Sequence, residues 1–242
     1  MTAPRSDPGR RALALYAGAT AATRTHVRIR WRTCPFPPIA GALPEGGRIL
    51  EIGCGHGLLS TYLALQSPRR MVRGVDIDEA KIAQASMAAA VALRQGADVA
   101  FAIARPGEVP PGPWDGIVIV DVLYLLGEAA QCALLERCAA ELGPGGRLVV
   151  KEMSDRPRWK YRWNQVQETL SVRVLRITRG ASFTFLPPAR LESSMRAAGL
   201  RTASVRLDHG HLHPHHLLVG RRAAAPAVSP ADPGAARPAA AP

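Results

Sequence analysis

At 242 residues the chain can bury one sizeable α/β core of its own. Its four cysteines, Cys34, Cys54, Cys132 and Cys138, form no C-x-x-C pair, which argues against a disulfide framework or a cysteine-ligated zinc site; no apolar run approaches the ~20 residues that span a bilayer. The net charge of +12 raises nucleic acid as a partner. However, Lys81, Lys151 and Lys160 are the only lysines and every other cation is Arg, a compositional bias that reads as a generally basic, solvated surface.

Residues 1–9 carry two prolines and no apolar cluster and are expected to fray. Residues 10–25 read as a helix with Leu13, Leu15 and Tyr16 free to dock. Arg10-Arg11 ahead of small apolar residues makes a poor signal segment, so a cytoplasmic location is expected. Val27, Ile29 and Trp31 alternate with Arg28, Arg30 and Arg32, which predicts a half-buried extended segment with one basic face. The run from Cys34 to Ile39 holds three prolines and is expected to be irregular. Residues 1–46 thus form an N-terminal extension and a candidate lid.

Residues 48–60 carry the organising motif. A short apolar run broken by Glu51 passes through Gly53, Cys54, Gly55, His56 and Gly57 into an apolar helical pattern. Strand, glycine turn and helix in that order open a nucleotide-binding α/β unit, because glycine lets a ligand lie against the backbone. The dinucleotide fingerprint G-x-G-x-x-G would need glycine at 58, which is Leu58.

A second strand follows over 71–76 and ends in Asp76, whose carboxylate can accept both hydroxyls of a ribose; Ile77 is placed to lie on the base. Asp78 caps an Ala-rich helix reaching residue 94. A third strand covers 98–104, followed by a Pro/Gly loop. The near-continuous apolar run 117–120, ending in Asp121, fits a central parallel strand buried on both faces. A helix over 128–142, a Pro-Gly-Gly turn and a further apolar strand complete the pattern, with Cys132 and Cys138 as core residues.

Beyond residue 152 come an amphipathic helix with Trp159 and Trp163 on one face and Arg158, Lys160 and Arg162 elsewhere, a short strand at 183–185, a helix over 187–198 and two closing strands, 200–207 and 215–220. Five of the seven histidines lie between residues 208 and 216. From residue 223 the Ala/Pro/Gly tail is expected to be disordered.

Glu51 with Gly53/Gly55/Gly57, then Asp76, Trp114 to Asp121, and Leu142 to Val150 together resemble the class I S-adenosylmethionine-dependent methyltransferases over residues 47–152. The resemblance implies a Rossmann-like, seven-stranded α/β sheet, mostly parallel with an antiparallel C-terminal hairpin and helices on both faces. It implies a methyltransferase domain over 47–222 with a helical insertion at about 155–180. S-adenosylmethionine would be held by Glu51, Gly53, Cys54, Gly55, Gly57, Asp76 and Ile77. Ala104 would lie near the adenine and Asp121 beside the reacting centre.

Tyr124, Trp159, Trp163 and His213 are the candidate substrate contacts, favouring a small, largely apolar or aromatic acceptor, methylated on oxygen or nitrogen and of lipid or secondary-metabolite type. The basic face of the insertion could hold a carboxylate, a phosphate or a carrier protein. His209 and His211 are the candidate bases for a hydroxyl acceptor. Their His-x-His spacing would also suit a metal, though none is assigned. An RNA methyltransferase and a non-catalytic cofactor- or carrier-binding subunit are the alternatives; oligomeric state stays open.

Overall fold

The computed structural model describes residues 7–153, 184–207 and 215–224. Three helices precede the sheet: α1 (Pro8–Ala14), α2 (Ala21–Thr33) and α3 (Phe36–Ala42). Then follow β1 (Gly47–Ile52), α4 (Leu58–Gln66), β2 (Arg70–Asp76), α5 (Glu79–Leu93), β3 (Asp98–Ile103) and β4 (Trp114–Val120). A 3-10 turn (Leu123–Leu125), α6 (Glu128–Glu141), β5 (Leu142–Met153), α7 (Pro188–Ala197), β6 (Arg201–Arg206) and β7 (His215–Arg221) complete the order.

The strands form one seven-stranded sheet in the order β3-β2-β1-β4-β5-β7-β6, with β7 antiparallel to both of its neighbours. The expected Rossmann-like sheet with its closing hairpin is therefore present. Alternate residues of the central strands feed two cores, as the two-residue period of a strand requires. Val118, Val120 and Val149 join the core beneath α1 to α5, whereas Ile117, Ile119, Leu148 and Val150 join the one beneath α6 and α7.

The N-terminal extension departs from its sequence reading. The expected helix over 10–25 is split by a turn after Ala14, and the segment read as extended is the 13-residue helix α2. Thr23, Val27 and Trp31 recur every four residues and face inward, with Trp31 edge-on to Tyr62 at 5.0 Å, while Ile29 is 56% exposed. The Thr20 side chain accepts a hydrogen bond from the Thr23 amide and fixes the helix start.

The proline run also folds differently from its irregular reading. Pro37 and Pro38 sit in the first turn of α3, where a missing N–H leaves no bond unmade. Thr184 and Phe185 belong to no strand, in contrast to the expectation for 183–185, of which Phe183 lies outside the described residues. The Thr184 amide donates to the Tyr124 carbonyl and its carbonyl accepts from Gln131, so side-chain and loop bonds replace a ladder. The insertion with Trp159 and Trp163, the histidines at 209, 211 and 213, and most of the tail also lie outside the described residues.

Arg70, only 4% exposed, fastens the N-terminal layer to the sheet. Its guanidinium donates to the carbonyls of Pro44 and Ala40 and to Gln66 Oε1, at 2.8, 3.1 and 3.0 Å. Arg70→Met is expected to lower the unfolding free energy by about 2–4 kcal/mol, because buried carbonyls lose a charged donor. Urea denaturation followed by tryptophan fluorescence measures this.

Candidate cofactor and substrate site

Between β1 and β4 the strand order changes direction, and such a switch point opens a crevice at the C-terminal ends of the strands. The glycine turn lies there. Gly53 and Cys54 amides both donate to the Val75 carbonyl, at 2.8 and 3.0 Å, and the Gly55 amide donates to Asp76 Oδ2 at 2.7 Å. The turn is thus stapled to the tip of β2.

Two of the glycines are required for different reasons. A Cβ on Gly53, at φ +73°, would stand 2.3 Å from Val122 Cγ2, so the site's floor admits no side chain. A Cβ on Gly55, at φ +53°, would meet nothing within 4 Å; here the backbone faces open space in which a ligand can lie against it. Gly57 ends the turn as the residue before α4.

Asp76 also accepts from the Asp78 amide, through Oδ1 at 2.9 Å. Two backbone donors leave further lone pairs on a carboxylate that has room for about four hydrogen bonds, enough for two vicinal hydroxyls. Ile77 is 65% exposed beside it, and Ile103, paired with Asp76 across the β2–β3 ladder, is 56% exposed. Together they offer apolar faces to a flat base; Ile103 was not singled out from sequence. The Ala104 amide donates to the Asp76 carbonyl and the Arg105 amide to Glu108 Oε2. A base contact at Ala104 would therefore go through its carbonyl.

Glu51 and Cys54 are buried beneath this turn. Ser60 of α4 donates to Glu51 Oε2 at 2.5 Å, tying β1 to the helix it feeds. Burial pushes the Glu51 carboxyl up to about 7, against the pull of Ser60 and Arg30. The carboxyl is held protonated to a higher pH when folded than when unfolded, so its contribution is most favourable below about pH 4.5 and declines as pH rises to about 7.

At the β4 edge, Asp121 has φ +56° and a nearly buried carboxylate, which pairs with Lys151 at 2.5 Å and with Arg30 at 2.6 Å. Those two cations hold it well below the usual carboxylate range, against the cost of burial. Lys151 is 1% exposed. Glu152, beside it, accepts from the Val122 and Leu123 amides, at 3.1 and 2.8 Å. Burial and the negative Asp121 push its carboxyl above the usual range. Tyr124 stacks parallel to Phe185, with centroids 5.0 Å apart.

Helix α2 runs along this edge. The His26 ring lies 4.8 Å from the His56 ring in the glycine turn, Arg30 reaches Asp121, and the Thr33 carbonyl lies 3.0 Å from His215 Nε2 at the start of β7. Tyr16, between α1 and α2, donates to the His56 carbonyl at 2.6 Å.

The structure therefore gathers Glu51, Gly53, Cys54, Gly55, Gly57, Asp76, Ile77, Ala104, Asp121 and Tyr124 along the C-terminal strand ends, as sequence reasoning placed them. It adds Arg30, Ile103, Lys151 and Glu152. The start of β7 lies beside the end of β5, and the end of β6 beside the start of β7, since Met153 pairs with His215 and Arg206 with His216. The connection that carries His209, His211 and His213 thus starts and finishes at this same edge. Among the described residues no cluster of His, Cys, Asp and Glu suits a metal ion.

A family model described as a methyltransferase domain matches residues 30–205. Over 164 residues the chain is 31% identical to the ubiquinone biosynthesis O-methyltransferase of Xylella fastidiosa strain 9a5c; the match covers 66% of this chain and 63% of that protein. The protein of the same name from Bordetella bronchiseptica is 27% identical over 170 residues, covering 69% of this chain and 67% of its own. The alignment with the first of these relatives thus spans less than two thirds of its length.

Among solved structures, an O-methyltransferase family protein from Burkholderia thailandensis superposes with a TM-score of 0.68 at 16% identity, covering 88% of this chain and 63% of that one. Magnesium protoporphyrin IX methyltransferase from Synechocystis PCC 6803, with bound SAH, gives 0.64 at 19% identity, covering 90% and 95%. The chain belongs to the class I S-adenosylmethionine-dependent methyltransferases.

Glu51→Gln removes the titrating group and keeps an oxygen for Ser60. Relative to wild type, the ligand-free variant is expected to gain roughly 3 kcal/mol of stability between pH 4.5 and pH 8. Urea midpoints at the two pH values measure that change.

Proposed function

We propose that the chain transfers the methyl group of S-adenosylmethionine to a hydroxyl of a small, largely apolar aromatic molecule. The observation that carries this reading is the curated relatives' shared activity on oxygen, set beside a site edge walled by the parallel rings of Tyr124 and Phe185. Aromatic faces contribute area to an apolar acceptor and stack on a planar one. Trp159 and Trp163 of the insertion would extend that wall, and its basic face would suit an anionic or carrier-bound acceptor.

The bound sulfonium supplies an already electrophilic carbon. What remains for the protein is placement, exclusion of water and removal of one proton. Asp76 would accept the ribose hydroxyls, Gly55 would let the nucleoside approach, and Ile77 and Ile103 would flank the base. Helix α2 would cover the edge, held down through Arg30, and so fill the role of the lid. The connection with His209, His211 and His213 would border the acceptor. No helix among the described residues is long and apolar enough to cross a membrane. We place the reaction in the cytoplasm, where the cofactor is made and the thiols stay reduced.

Labelled S-adenosylmethionine incubated with the protein and a cell extract tests this. Label is expected in the organic-solvent fraction as a methyl ether. Label in RNA would favour a nucleic-acid substrate, and none in any fraction would favour a binding subunit.

A further inference from the structure

Near its end strand β5 carries two charged residues, Lys151 and Glu152, that the cofactor cradle does not use. Lys151 is committed to Asp121. Glu152 is different. It is 5% exposed, and its Oε1 holds the Val122 and Leu123 amides at the start of the 3-10 turn. Its Oε2 is buried and has no hydrogen-bond partner among the described residues. A buried carboxyl oxygen without a partner is destabilising, so such an atom in a folded protein calls for one, from water or from a ligand.

The space beside it fits one. Glu152 lines a small cavity with Tyr124, Gln131, Thr184 and Phe185, with room for about one water-sized group. The Gln131 amide is already spent on the carbonyls of Leu126 and Thr184. The cavity borders the cofactor cradle through Val122, whose amide bonds Glu152 and whose side chain packs on Gly53. Among the described residues, the charged and titratable groups around the carboxyl are Asp121 just after β4, Lys151 beside it on β5, Arg30 of α2 beyond Asp121, Tyr124 on the turn, and His216 across the β5–β7 ladder. Asp121 neutralises much of the field of its two cations, and burial makes the carboxyl more basic than a surface glutamate.

We infer that Glu152 is a catalytic residue that receives the acceptor's hydroxyl, its Oε2 accepting the O–H hydrogen bond while the aromatic ring lies against Tyr124. The inference rests on the phenolic-acceptor reading above. As the acceptor oxygen forms its bond to the methyl carbon, the carbon–sulfur bond breaks, its electron pair stays on sulfur, and the hydroxyl proton passes to Glu152. The histidines between β6 and β7 are then not needed to take the proton.

Glu152→Gln keeps an oxygen for the Val122 and Leu123 amides and removes the carboxylate. Wild type, this variant and the His209→Ala/His211→Ala double variant are titrated with S-adenosylhomocysteine by calorimetry and assayed with labelled S-adenosylmethionine on catechol, 4-nitrocatechol and 4-hexylresorcinol. Absorbance of 4-nitrophenol is then followed against pH in each S-adenosylhomocysteine complex. Glu152→Gln is expected to bind S-adenosylhomocysteine within threefold of wild type, with kcat at least about 100-fold lower and KM within about fivefold. Bound 4-nitrophenol should titrate with a different apparent pKa in this variant, because the phenol no longer shares its proton with the Glu152 carboxyl. The histidine double variant should keep at least half of the wild-type kcat.

Glu152→Gln turnover within threefold of wild type, superposable 4-nitrophenol curves, loss of S-adenosylhomocysteine binding in Glu152→Gln, or turnover abolished only in the histidine variant each overturns the assignment and leaves the phenol reading in place. A wild type that binds S-adenosylhomocysteine but neither binds 4-nitrophenol nor methylates any of the phenols overturns both.

Discussion

The 2.7 Å hydrogen bond from the Gly55 amide to Asp76 Oδ2 joins two elements that sequence order keeps apart, the turn after β1 and the tip of β2. With the Gly53 and Cys54 amides also fixed to the Val75 carbonyl, the turn has little freedom to drift from β2. That fixes where α4 begins, where the glycine backbone lies bare and where the carboxylate of Asp76 points. A side chain at Gly53 would collide with Val122, so the same constraint reaches β4. The candidate cradle and the candidate reaction edge are in this way joined by direct contacts, and preorganisation of that kind lets binding energy go into alignment.

The second constraint is electrostatic. Asp121 just after β4 meets Lys151 of β5 and Arg30 of α2, and the buried charges of Asp121 and Lys151 compensate one another. Buried ion pairs add little net stability because desolvation offsets their attraction, but removing one partner is costly. The triad is therefore better understood as a device for position: it sets α2 across the strand ends. Helix α2 has polar anchors along its length, at His26, Arg30 and Thr33, so the N-terminal layer is docked by specific contacts as well as by Val27 and Trp31.

Much of this was legible in the sequence where the signal is local. The glycine spacing and the apolar run of β4 each report a backbone requirement of their own neighbourhood, and each fell where expected; the Pro-Gly-Gly residues, expected as a turn ahead of the strand, instead lie within β5 at a shift of its register against β4. The errors at residues 27–39 have two causes. Arg at every second position imposed an apparent period of two on a helix whose true stripe is Thr23, Val27 and Trp31. Prolines that exclude a helix interior also favour its first turn. Arg30, Lys151 and Glu152 carried no local signal at all. Their roles arise from pairing across strands and layers, and a lysine following an apolar strand looks like an ordinary strand end until the fold buries it.

The account as a whole depends on the crevice beyond β1 holding a sulfonium nucleoside whose ribose is gripped by Asp76. Calorimetric titration of S-adenosylmethionine into wild type and Asp76→Asn tests this most directly, since Asn keeps an acceptor for the Gly55 amide and loses the charge. The account predicts saturable one-to-one heat for wild type and at least about tenfold weaker binding for the variant, the worth of a charge-assisted hydrogen bond. No heat from wild type, or equal affinity in the two proteins, would contradict it.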